Sequence, residues 1–221
     1  HEFDHKGTGF AEMLNTAKAA QTAAMGLLTD SQYPPRNLEA YQTQYGPVTL
    51  TLPALLEANY DPAEENPDRD FIQSAMDDYG VTDCMTLERG GVTYGLFGLM
   101  GVDSDDCAPT SGFTLTDAAE AAKRCVEKLK GEGAEIILCL SHSGTAEAPA
   151  VSEDEELAKA VDGIDVIISG HTHTTLAEPL VVNDTYIVSC GPYCQNLGSL
   201  TFTWDGSGKK QLTDYRLIHI D

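Results

Sequence analysis

The chain has 221 residues, 42% of them apolar, with 35 acidic side chains against 13 basic ones and a formal net charge of −22. That length builds one good-sized domain or two small ones with a sizeable core. The charge excludes a protein that tracks a nucleic-acid backbone, which needs clustered Lys and Arg, and no apolar run approaches the roughly 18 residues that span a bilayer.

The first residues, HEFDHKGTGF, show no basic region followed by an apolar stretch, so no signal peptide is written there. They also lack an initiating Met, and the expectation is a piece of a longer protein. Phe10, Met13, Leu14, Ala17, Ala20, Ala24, Leu27 and Leu28 recur at helical spacing. A Pro-Pro loop, TDSQYPPRN, follows. VTLTLPALLEANYDP reads as strand material ending in a turn, and NPDRDFIQSAMDDYG as a short helix closed by Gly80. CMTLERGGVTYGLFGLMG reads as a hairpin turning at Arg89-Gly90-Gly91.

Two helix–strand units come next. Thr116 or Asp117 caps a helix with Ala118, Ala121, Ala122, Cys125, Val126 and Leu129 on one face, ended by Gly131, and the strand Ile136 to Leu140 follows. Ser152 and Glu155 have the spacing of a capping box for a second helix, which stops at Gly163 before the strand Val166 to Ser169. Strands apolar throughout are expected to be parallel and covered on both faces. After residue 176 the pattern changes to PLVV, TYIVSC, SLTFTW and LTDYRLIHI, read as an antiparallel set.

None of the six cysteines forms a CxxC pair, which argues against a zinc knuckle or thioredoxin-like site. Cys125 and Cys139 read as core thiols. Cys84 with Cys107, or Cys190 with Cys194, are pairings left open for an oxidising compartment.

In open parallel sheets, ligands bind beyond the carboxyl ends of strands. His142 and His171 each follow such an end, and His173 lies two residues further on. Neutral imidazole is a common nitrogen ligand for zinc and similar ions. Any one of these histidines alone reads as an exposed loop residue. Three at two equivalent strand ends read as metal ligands, with Gly170 giving room for the turn. His1, with Asp4 three residues on, has the pattern of an imidazole oriented by a carboxylate for proton transfer. His5 and His219 receive no role. Asn59 and Asn196 read as turn residues, and Trp204 and Tyr215 as packing residues. No G-x-G-x-x-G follows a strand, so a dinucleotide binder is a poor reading.

HEFD, LSHSG and GHTHT, in this order and spacing, resemble the calcineurin-like metallophosphoesterases of the 5′-nucleotidase and UDP-sugar hydrolase group. ELAKAVDGIDVIISGHTHT, GPYCQNLGSLTFTWD and VTYGLFGLMGVDS extend the likeness over nearly the whole chain. The resemblance implies a four-layer α/β/β/α sandwich, lacking its first strands, with residues 1–221 as one partial catalytic domain. It implies two divalent ions, zinc, manganese or similar, in the complete enzyme. His142 and His171 would hold one ion and His173 the other, and His1, oriented by Asp4, would act on the phosphate or its leaving oxygen. The implied substrate is a small nucleotide or phosphate ester, and the implied location is extracellular or at the cell surface.

The family's Asp-x-His block, its Gly-Asp block and the Asn before HEFD are absent from these residues. The expectation for this chain alone is one ion or none, little or no hydrolysis, and an open sheet edge that could dimerise. The chain ends about where a C-terminal substrate domain would be linked, so base specificity is not written in it. The alternative reading is a degenerate, non-catalytic homologue serving as a binding or interaction module.

Overall fold

In a computed structural model, the residues described are 8–29, 51–108, 111–145, 152–205 and 209–220. Their elements, in order, are α1 (Thr8–Thr29), β1 (Tyr60–Pro62), α2 (Arg69–Tyr79), β2 (Cys84–Arg89), β3 (Val92–Met100), α3 (Val102–Asp106), β4 (Phe113–Leu115), α4 (Ala118–Gly131), β5 (Ile136–His142), α5 (Glu153–Ala160), β6 (Val166–Ser169), β7 (Leu180–Val182), β8 (Thr185–Val188), β9 (Asn196–Trp204) and β10 (Lys210–His219). They fall into two compact units.

The smaller unit is built on α1 and α2. Ala11 and Leu14 are buried with Ile72, Ala75 and Met76, and Phe10 meets Phe113 edge-on at 5.9 Å. The stripe is narrower than the helical spacing suggests, since Met13 is exposed. Alanines at 11 and 75 fill the seam with little bulk. Gly80, at φ 91°, ends α2 by donating its N–H to the carbonyls of Met76 and Asp77. Of the segment read as strand at 48–62, residues 48–50 lie outside the described residues. Leu56 makes one isolated bridge to Thr82, and only β1 is regular strand.

The larger unit contains a six-stranded mixed sheet in the order β2-β3-β5-β6-β8-β7. β3, β5, β6 and β8 run parallel, and antiparallel β2 and β7 close the two sides. The β2–β3 hairpin turns where expected, with Arg89 paired to Val92 across Gly90 and Gly91 at φ 61° and 80°. Such positive φ values at both central residues match a type I′ turn, which suits the strand twist.

Period-two alternation divides each central strand between two faces. Ile137, Cys139 and Ile167 join Ala121, Cys125, Val126 and Leu129 of α4, and Leu157 and Ala158 of α5, in one buried core. α4 packs close over Gly95, since a Cβ there would already touch the Cβ atoms of Leu129 and, just past the helix, Ala134 at 3.0 Å. The opposite face meets the β9–β10 hairpin, where Tyr186 contacts Phe202 edge-on at 5.9 Å. This layer is less filled. Leu140 and Ile168 are exposed, and a cavity of about 240 Å³ lies between Leu138, Ile168, Phe202 and Trp204. The expected cover on both faces is therefore complete only on the helical side. The result is a mixed α/β fold with a central mixed sheet.

Several local expectations change. β8 is not part of a separate antiparallel set but joins β6 in parallel, because the loop after residue 170 crosses to the next sheet position. Asp117, rather than Thr116, caps α4, accepting the Glu120 N–H at 2.8 Å. The left-handed exit from α4 falls at Gly133, φ 87°. The Ser152–Glu155 capping box does not form. Ser152 makes no side-chain cap bond, and Glu155 instead accepts the Thr145 hydroxyl at 2.7 Å. All six thiols are free; Cys84 is buried against Cys125 while Cys107 is exposed. Tyr215 packs as read, its hydroxyl donating to the Leu176 carbonyl at 2.8 Å, whereas Trp204, read as a packing residue, borders the cavity and is 40% exposed.

Two glycines give a matched test of this packing. A Cβ at Gly98 would lie 2.0 Å from the Leu56 carbonyl oxygen, whereas one at Gly131 meets nothing within 4 Å. Urea denaturation should show Gly98→Ala destabilised by more than about 3 kcal/mol, as for a backbone clash in a packed core. Gly131→Ala should be neutral or stabilised by up to about 1 kcal/mol through lower unfolded-chain entropy.

Candidate metal centre

The site starts from strand register. β5 and β6 pair in parallel with Ser141 opposite Ser169, so His142 and Gly170 leave the sheet side by side. Gly170 N–H donates to the Ser141 carbonyl at 2.8 Å and extends that pairing by one bond. A Cβ at Gly170 would sit 3.2 Å from His142 Nδ1. Glycine therefore leaves room for the ring.

The GHTHT loop then alternates. His171 and His173 take left-handed backbone, φ 76° and 56°, a conformation uncommon outside glycine. The threonines between and after them bind inward. Thr172 donates its hydroxyl to the Thr145 carbonyl at 2.6 Å, Thr174 donates to the same oxygen, and Thr145 N–H donates back to the Thr172 hydroxyl at 3.3 Å. Thr145 is fully buried and tied to Glu155. Hydroxyl bonds thus hold the loop in the strained form.

The rings of His142 and His171 have centroids 5.2 Å apart at 65°. His173 lies edge-on to the exposed Tyr193 at 5.4 Å. Burial pushes the His142 imidazole below its usual range, and His171 and His173 push it further. A depressed His142 keeps its lone pair at neutral pH, the form that binds a cation.

A feature unnoticed in the sequence lies in GVDSDD. Asp103 Oδ2 accepts from His171 Nε2 at 2.7 Å. The Ser104 hydroxyl and the Gly101 N–H both donate to the His142 carbonyl. The Glu153 carboxylate in turn accepts the N–H groups of Val102 and Asp103, each at 2.9 Å. The one available signal was an acidic cluster directly after a strand on the same rim. Asn59, read as a turn residue, is a buried strut: it donates to the Met100 and Thr116 carbonyls and accepts the Met100 N–H. Asn196 opens β9 and donates to the Cys190 carbonyl at 2.9 Å. His219 sits beside it, 3.4 Å from the Asn196 side-chain oxygen. His1, Asp4 and His5 lie outside the described residues.

The donors fit a divalent cation in kind, being imidazoles with a carboxylate behind one of them. In number they are part of a site. Among the described residues, no group of three His, Cys, Asp or Glu side chains is placed to hold an ion by itself.

No family model matches the chain. An uncharacterized metallophosphoesterase of Bacillus subtilis, YunD, is 38% identical over 94 residues, 42% of this chain and 19% of that protein. The trifunctional nucleotide phosphoesterase YfkN of the same organism is 30% identical over 169 residues, 71% of this chain and 11% of that protein. The crystal structure of a 5′-nucleotidase precursor from Thermus thermophilus superposes with a TM-score of 0.57 at 25% identity, covering 76% of this chain and 34% of that one. The chain is a relative of the metallophosphoesterases. The chain thus matches only about a fifth or less of the length of these two curated relatives. Within this metallophosphoesterase frame, the rim of β5 and β6 holds the histidines that the sequence singles out.

Beneath the rim, Asp154 of α5 is fully buried and accepts the Ser141 hydroxyl at 2.6 Å. Burial raises its carboxyl to about 6; Ser141 offsets part of this, while Glu155 and Glu153 add to it. Between the ordinary Asp range and pH 6 the folded chain therefore keeps a proton that the unfolded chain has released. This contribution to stability is present below about pH 4 and is lost as pH rises through 6. Urea titrations across that window should show wild type losing on the order of 2–3 kcal/mol more than Asp154→Asn. Parallel curves would remove the assignment.

Proposed function

We propose that this chain carries the histidine rim of a metal-dependent phosphoric ester hydrolase acting on nucleotide-type esters, in the manner of a 5′-nucleotidase. The observation that supports this most is the convergence of His142 and His171, ring centroids 5.2 Å apart, from two parallel strand ends, with His173 on the same left-handed loop. The names of YfkN and of the Thermus nucleotidase agree with a nucleotide substrate.

In this reading His142 and His171 hold one divalent ion and His173 helps to hold a second. Bound ions would supply positive charge against the phosphate, acidify an attacking water and hold attacking and leaving oxygens in line. The protein's own part is to present imidazoles in fixed directions. His142 is kept neutral by burial and by its two neighbours, and the threonine bonds to Thr145 fix the His171–His173 loop. His1, oriented by Asp4, is assigned the proton at the phosphate or leaving oxygen. The remaining carboxylate ligands belong to blocks not found in these residues, so this chain alone would hold one ion or none and turn over little. Action outside the cell, and association of two chains along a sheet edge at β2 or β7, belong to the same reading.

The test is His171→Ala in the full natural protein, assayed with nucleoside monophosphates and by elemental analysis of bound zinc and manganese. Loss of more than about 100-fold in kcat/KM, with loss of metal, is expected, since even outer partners of metal ligands are worth about 10–100-fold. Unchanged turnover would overturn the assignment. A full protein with neither metal nor turnover would instead favour the degenerate, non-catalytic reading.

A further inference from the structure

His171 and Asp103 are 68 positions apart, yet Nε2 and Oδ2 stand at 2.7 Å. Two readings of this contact are open chemically: a hydrogen bond, or two ligands of one ion. Distance decides between them. Metal–nitrogen and metal–oxygen bonds of about 2.1 Å at a tetrahedral angle put the two donor atoms about 3.4 Å apart. The observed 2.7 Å is the spacing of a charge-assisted hydrogen bond. A carboxylate can only accept, so Nε2 must carry the proton and Nδ1 is left with its lone pair.

We propose that Asp103 is a positioning residue for His171, holding the ring as the Nε2–H form so that Nδ1 is the atom offered to a cation. This rests on the metal-centre reading above. Outer carboxylates of this kind fix tautomer and ring direction for ligating histidines and raise their basicity. Asp103 is itself held. Its N–H and that of Val102 both end on the Glu153 carboxylate, at 2.9 Å each, and the next residue, Ser104, donates to the carbonyl of His142. The five residues of α3 therefore touch both strand ends, through the backbone of His142 and the side chain of His171. They set the spacing of the two rings. The pair adds little to stability, because the Asp103 side chain is 45% exposed and solvent screens it. Its effect is on direction.

The experiment uses the 221-residue chain with Asp103→Ala, Asp103→Asn and Asp105→Ala. Asp105 accepts the Tyr60 hydroxyl and has no bond to His171, so it controls for disturbance of α3. Long-range imidazole nitrogen–proton spectra, recorded without metal at about pH 8 where imidazole is neutral, read the ring directly. Wild type, Asp103→Asn and Asp105→Ala should show a His171 Nε2 proton protected from exchange with water. Asp103→Ala should lose that signal with its backbone spectrum otherwise kept. Zinc titration followed at the same ring should weaken about 10–100-fold in Asp103→Ala and by only a few-fold in Asp103→Asn. A protected Nε2 proton that survives in Asp103→Ala overturns the proposal. The exchange result decides the hydrogen bond whether or not zinc binds this chain, and the metal-centre reading is overturned separately, by unchanged turnover and metal content of His171→Ala in the full natural protein.

Discussion

The hydrogen bond from Gly170 N–H to the Ser141 carbonyl holds the rest of the site in place. It carries the parallel register of β5 and β6 one residue beyond the sheet, to the point where the chain must choose a direction. With it, the residue after each strand end is level with its neighbour and two imidazoles share a rim. A slip of one residue would turn each side chain to the other face. Ile137, Cys139 and Ile167 would then leave the helical core, so the cost of moving the histidines is the cost of unpacking α4 and α5. The position of the site is thus fixed by apolar burial some distance below it.

Backbone strain sits directly above that register. Left-handed conformations at non-glycine residues cost of order 1 kcal/mol or more each and persist only where the surroundings over-determine them. His171 and His173 both adopt them. The over-determination is visible, since two threonine hydroxyls end on the one carbonyl of Thr145 and the Thr145 side chain ends on Glu155. The alternation has a physical use. It points hydroxyls inward to a fixed anchor and leaves the imidazoles free of that task, so flexible side chains start from a stiff frame.

Much of the sheet was legible because apolar runs of four to five residues, bounded by glycine, polar residues or a capped helix, leave few other solutions. The helices around them follow from Asp117 and from the Ala121–Leu129 stripe in the same way. The three rim histidines were legible for a related reason, since motif and strand end coincide. What stayed hidden depends on long-range choice. Glu155 has the spacing of a local capping partner and binds Thr145 instead, because a buried hydroxyl ten residues away competes for it. Asp103 reads as one acid in an acidic run, and only the fold brings it to His171. β8 carries the alternation of a hairpin strand and is one, with β7, yet its other edge pairs in parallel with β6. Local pattern specifies which face is buried and says little about the next neighbour.

Charge closes the argument from composition to chemistry. With 35 acids against 13 bases, the chain repels phosphate at long range. Close to the rim the balance is no better, because Asp103 and Glu153 stand behind the histidines and, among the described residues that bond to or stack on those rings, none is Lys or Arg. Depression of His142 toward its neutral form withdraws one more source of positive charge. A site of this composition attracts cations first. On the proposed reading, phosphate would then be drawn by the bound cations rather than by the protein's own charge.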